Sequence, residues 1–172
     1  MGSTLTVDNI VGATTAANVK LPAGSILQTT TSFSHGVAIA SSSTSLVGTG
    51  QTATITPKYN NSIIMLYLST SFTSLDNNAT GGTQMVFYKS IAGGSYSVIN
   101  TMTGRTSGGF LEYNSNGSSY THSVGTIMCT DSPATTSAVT YQLYFARIGS
   151  SGNASVQRDW GGVHFHLMEI SQ

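Results

Sequence analysis

Apolar and polar residues in this chain alternate in short runs separated by clusters of Gly, Asn, Ser and Pro, and no run carries the three-to-four spacing of a helix. Strands are predicted at 25–33, with 36–40 as a continuation, then at 51–56, 62–70, 83–91 and 96–102. Further strands are predicted at 120–130, 138–148, 156–160 and 162–170. The run 62–70 (Ser-Ile-Ile-Met-Leu-Tyr-Leu-Ser-Thr) is apolar on both faces, which marks a central or interface strand. In 83–91 alternation sets Met85, Phe87 and Lys89 against Val86 and Tyr88. Gly93-Gly94 predicts a hairpin turn, and Asp131-Ser132-Pro133 a turn whose Asp side chain bonds local backbone. The Gly/Asn/Ser-rich stretch 104–119 reads as exposed loops around Phe110-Leu111.

Many short strands at regular spacing predict an all-β chain. The expected fold is an antiparallel β-sandwich, jelly-roll-like, at 25–172. Residues 1–24 differ: Leu5, Val7, Ile10 and Val11 precede a small-residue stretch and the break Pro22-Ala23-Gly24. Too small to form a core, this segment is expected to be an extended N-terminal arm that docks by strand addition, with a flexible tail as the plainer alternative.

Composition sharpens the picture. Charged residues make up 7% of the 172, and six basic residues balance six acidic ones. No net field attracts nucleic acid or an anionic membrane, and no apolar run reaches the ~18 residues of a membrane-spanning helix. A surface made soluble by Ser, Thr and Asn alone favours self-association, so a homo-oligomer is expected.

Candidate chemistry is sparse. The six carboxylates (Asp8, Asp76, Glu112, Asp131, Asp159, Glu169) are scattered, no Gly-x-Ser-x-Gly elbow or phosphate loop occurs, and the chain reads as a non-enzyme with no cofactor. Cys129, the single cysteine, reads as a small buried hydrophobe. His164-Phe165-His166 stands apart: alternation puts both imidazoles on one strand face, ~6.6 Å apart, with Val163, Phe165 and Leu167 on the other. Two imidazoles are a poor metal site, whereas three such pairs about a threefold axis would supply six nitrogens. The simpler reading is solvent exposure or stacking at a subunit interface. Among the tyrosines, Tyr113 beside Glu112 and Asn114 is the candidate for sugar stacking, with Tyr113 and Asn114 as glycan contacts.

The opening Thr4-Leu5-Thr6-Val7-Asp8-Asn9-Ile10-Val11-Gly12 and the segment 21–28 resemble the start of small virion proteins of cyanophages and other marine tailed phages. Thr54-Ile55-Thr56-Pro57, the run 131–141 (Asp-Ser-Pro-Ala-Thr-Thr-Ser-Ala-Val-Thr-Tyr) and Leu167-Met168-Glu169-Ile170 fit the same pattern, which covers most of the chain. The resemblance implies a virion protein: a short trimeric fibre or appendage subunit on tail or neck, attached through its N-terminal segment, in contact with other virion proteins and a host surface glycan. Leu5, Val7, Ile10 and Val11 would then be docking residues. A capsid decoration (cement) protein is the alternative, and a carbohydrate-binding module a further one. The His164/His166 pair lies outside the resembling pattern.

Overall fold

A computed structural model describes residues 21–35, 38–76, 81–99, 110–114, 119–149, 152–156 and 162–172. They contain eleven strands: β1 (Ile26–His35), β2 (Ile39–Ser41), β3 (Val47–Ile55), β4 (Ile63–Asp76), β5 (Gly81–Ile91), β6 (Ser97–Val98), β7 (Phe110–Asn114), β8 (Ser119–Asp131), β9 (Val139–Ile148), β10 (Asn153–Val156) and β11 (Gly162–Ile170).

Two antiparallel sheets form. In the first, β4 pairs with β8 along its length, and on its other side with β11 (Ile63–Ser69) and then β10 (Phe72–Leu75). β1 lies outside β11 and β2 outside β10, so the sheet is effectively four strands wide. The second sheet runs β3-β9-β5, with β6 and β7 both on the far side of β5. The orders β1-β11-β4-β8 and β3-β9-β5-β7 are those of a jelly roll: two Greek keys folded over one core, with β6 inserted between β5 and β7.

Alternation determines what enters that core. Ile64, Leu66, Leu68 and Phe72 of β4 point inward, as do Val163, Phe165 and Leu167 of β11. They meet Met85 and Phe87 of β5 and Val139, Tyr141, Leu143 and Phe145 of β9, and Phe87 stacks on Phe165 at 5.2 Å between centroids. The opposite side of β4 differs: Ile63, Met65, Tyr67 and Ser69 face outward and are half-buried among the side chains of neighbouring strands.

Turn chemistry follows the residues. Ser25 N–H donates to Pro22 C=O (3.1 Å) around Gly24 at φ 86°, a turn that needs a positive φ at its third residue. Gly94 N–H donates to Ile91 C=O (3.0 Å) with Ala92 at φ 50° and Gly93 at φ 75°.

Four local expectations are corrected. Phe110–Asn114, expected within loops, is strand β7, opposite Met85–Gly81; a ladder between residues distant in sequence outweighs the local Gly/Asn signal. The strand expected at 156–160 lies at Asn153–Val156, fixed by partners on both sides in β4 and β2, while 157–160 lies outside the described residues. Of the strand expected at 96–102, Ser97–Val98 pairs with Lys89 and Tyr88 and Tyr96 and Ile99 lie outside the ladder, while 100–102 lies outside the described residues. Asp131 does not cap its own turn. Its carboxylate accepts from Lys89 Nζ (2.7 and 2.9 Å) and from Tyr141 Oη (2.9 Å) inside the sandwich.

Candidate functional site

The outer face of the first sheet carries the sequence's most distinctive motif. In β11, Val163, Phe165 and Leu167 are buried while His164 and His166 face outward. Their rings lie 6.4 Å apart and nearly parallel, matching the strand repeat. Cross-strand register builds rows around them. Phe33, His164, Ser69 and Thr126 form one row, and Thr31, His166, Tyr67 and Met128 the next. Thr29, Met168, Met65 and Thr130 form a third.

Each imidazole is held by side chains of its row. Phe33 lies 4.6 Å from His164, its ring over Gly162, where a Cβ would come within 2.6 Å of Phe33 Cε2. His166 Nδ1 is 3.1 Å from Thr31 Oγ1, and Tyr67 meets the His166 ring edge-on at 5.8 Å. Thr29, Thr31, Tyr67, His166 and Met168 line an open depression of about 380 Å³. Among the described residues, no group of three or more His, Cys, Asp or Glu gathers in a way that could hold a metal ion.

Among the described residues the face also carries no formal charge: its outward side chains on β1, β11, β4 and β8 are Ile, Val, Met, Phe, Tyr, His, Ser and Thr. The four most exposed large hydrophobics of the described residues lie on it: Val124 (78%), Met128 (63%), Phe33 (57%) and Ile26 (56%). Sequence reading found the histidines but not this surface, because Ile26, Phe33, Val124 and Met128 come from two strands far apart in the chain.

Two of the carboxylates, Asp131 and Glu169, are occupied inside the fold. Asp131 and Glu169 both sit opposite Ile64, one on each side of it, so their strands are ~9.6 Å apart. Asp131 forms the buried pair with Lys89 and binds the Tyr141 hydroxyl. Burial, reinforced by Asp131, pushes the Tyr141 hydroxyl far above its ordinary value. Glu169 is fully buried, and its Oε1 accepts from Lys58 N–H (2.7 Å), Tyr59 N–H (3.3 Å) and Ser62 Oγ (2.7 Å). Its Oε2 accepts from Gln28 Nε2 (2.6 Å). This carboxylate ties the β3–β4 connection and β1 to β11. Both acids thus serve as cross-links of the sandwich, with their lone pairs spent on internal donors. Cys129, half-buried, packs against the core, and burial, with Asp131 adding, pushes its thiol up to about 12.

The other predicted residues fare differently. Tyr113 and Asn114 lie in β7 opposite Gly82 and Gly81, not in a loop, and no described contact brings them together with the histidines. Leu5, Val7, Ile10 and Val11 lie outside the described residues. Three other tyrosines do converge, on the outer face of the second sheet: Tyr88 stacks on Tyr144 at 4.0 Å, and Tyr96 lies 6.0 Å from Tyr144. Their packing raises the Tyr144 hydroxyl, chiefly by burial, with Tyr96 and Tyr88 adding. The β5–β9 register Val86↔Tyr144 and Tyr88↔Gln142 makes the first two diagonal neighbours, a relation hidden in the linear order.

No protein-family model matches the chain, and no curated protein matches it.

Proposed function

We propose that this chain is a non-enzymatic structural protein of a tailed-phage virion, a short fibre or appendage subunit working as a homo-oligomer, most simply a trimer. The observation that carries the reading is the jelly-roll body with one broad outer face free of formal charge and studded with exposed Val, Met, Phe and Ile. A soluble monomer rarely leaves such a surface to water, whereas a subunit of a larger assembly covers it. The charge-poor composition and the resemblance of 4–12, 21–28 and 131–141 to small marine-phage virion proteins support the same reading. Asp131 and Glu169, the acids with the most evident surroundings, act as internal cross-links, in keeping with a structural role. Residues 1–24 would attach the subunit to tail or neck proteins, and the body would meet the host surface.

The test is quantitative mass spectrometry of the purified phage particle that encodes the chain. A fibre or appendage subunit is present at a small multiple of the portal or tail-protein copy number. Absence from the particle refutes a virion role. Stoichiometry equal to that of the major capsid protein replaces the appendage assignment with capsid decoration.

A further inference from the structure

We propose that the outer face of the β1-β11-β4-β8 sheet is the surface through which one copy of this chain binds another. The inference rests on the homo-oligomeric reading above and names the surface responsible.

Three observations carry it. The first is where the apolar exposure falls. Val124 and Met128 on β8 and Phe33 and Ile26 on β1 are the most exposed large hydrophobics of the described residues, and all four lie on this face. They flank the half-exposed Met65, Tyr67, His166 and Met168, so the patch spans the sheet from edge to edge.

The second is charge. With no Lys, Arg, Asp or Glu among the described outward residues, the face is electrostatically indifferent to a copy of itself and offers no salt bridge to a charged partner. Burying it desolvates no ion, and its polar groups are Thr and Ser hydroxyls and imidazoles, which can donate or accept across a symmetric contact.

The third is size. Four strands at ~4.8 Å spacing and the nine residues from Ile63 to Ser71 at ~3.4 Å span on the order of 600 Å² in projection. That area counts the whole face, with apolar side chains and Ser, Thr and His interspersed. It supplies most of the ~800 Å² that each partner contributes to a standard interface. The edge adds to it. β8 has a strand neighbour on one side only among the described residues, and its thirteen residues include no Lys or Pro to discourage pairing. A second copy seated on the face at β8 would cover both.

The test is sedimentation velocity on the full-length chain at micromolar concentration. Compared are wild type, Val124→Lys/Met128→Lys, Phe33→Lys at the opposite edge, and Val98→Lys as an exposed apolar control on the second sheet. Wild type and V98K are expected to sediment as the same oligomer. V124K/M128K and F33K should associate about a hundredfold more weakly or run as monomers, since each places an unpaired ammonium in an apolar contact that must be desolvated. Far-UV circular dichroism matching wild type confirms that each variant is folded; since F33K changes the other edge strand, it carries the test if the double variant misfolds. Folded variants that keep the wild-type oligomer overturn the assignment of this face and leave the virion reading intact. Dissociation by V98K alone moves the interface to the second sheet. A wild type that is monomeric overturns both the face and the oligomeric part of the proposed function.

Discussion

Replacing Glu169 should reveal how much of the sandwich hangs on one carboxylate. A fully buried carboxylate is costly to desolvate, and among the described residues no cation forms an ion pair with it. Four hydrogen bonds compensate: three donors converge on Oε1, and Gln28 Nε2, which also donates to Thr56 C=O at 2.6 Å, reaches Oε2. Glu169→Ala strands the Ser62 hydroxyl and the Lys58 amide, the two shortest Oε1 contacts, at ~1–3 kcal/mol each. Weaker losses at Tyr59 and Gln28 and the vacated side-chain volume bring the expected cost to ~4–6 kcal/mol. For a domain of this size that lowers Tm by roughly 10–20 °C. Glu169→Gln is a sharper probe. Its amide oxygen can keep all three Oε1 donors, but its NH₂ then faces the NH₂ of Gln28. Relief by flipping Gln28 sacrifices the bond to Thr56, so the expected cost is ~1–2 kcal/mol. Thermal and urea unfolding followed by circular dichroism measure both variants. An E169A protein within ~1 kcal/mol of wild type, or an E169Q protein as damaged as E169A, would refute the view of Glu169 as an acceptor hub.

Other outcomes follow from the same geometry. Asp131→Ala leaves the Lys89 ammonium and the Tyr141 hydroxyl without their acceptor in a largely buried site and should cost ~3–5 kcal/mol in urea unfolding. Phe165→Ala empties a fully buried position that stacks on Phe87 and should cost ~3–5 kcal/mol by the same assay. Ala92→Gly relieves a positive φ and should raise stability by up to ~1 kcal/mol, an effect a thermal melt resolves. Cys129 should react with a thiolate-directed reagent at pH 8 only slowly until urea unfolds the chain, because its proton is held to about 12. Cys129 and Tyr141 both have raised values, so the folded chain keeps protons that the unfolded chain releases. Their contribution to stability is full below pH 9, the ordinary thiol value, and declines as pH rises towards 12. Urea midpoints across pH 8–11 check the sign.

What could be read from the sequence was whatever depends on neighbours one or two residues apart. Alternation identified β4, β9 and β11, placed Lys89 on the face of Met85 and Phe87, and set His164 and His166 side by side. What escaped depends on partners distant in the chain. β7 exists because 110–114 lies opposite 81–85, and nothing within it overrides the Gly and Asn around it. Asp131 looked like a turn residue because its neighbours are Ser and Pro, yet its partners are Lys89 and Tyr141, 42 and 10 residues away. Glu169 gathers donors more than 100 residues distant. The face was hidden for the same reason: β1 and β8 contribute two exposed hydrophobics each and β4 and β11 only half-buried ones, and only the register puts them side by side.

An electron cryo-microscopy map of the phage particle that encodes the chain would show directly whether this jelly roll is the self-associating appendage proposed above. Expected are clustered copies of the two-sheet body projecting from tail or neck, with β1-β11-β4-β8 faces turned towards one another. A particle without the chain, or isolated copies with that face open to solvent, would contradict it.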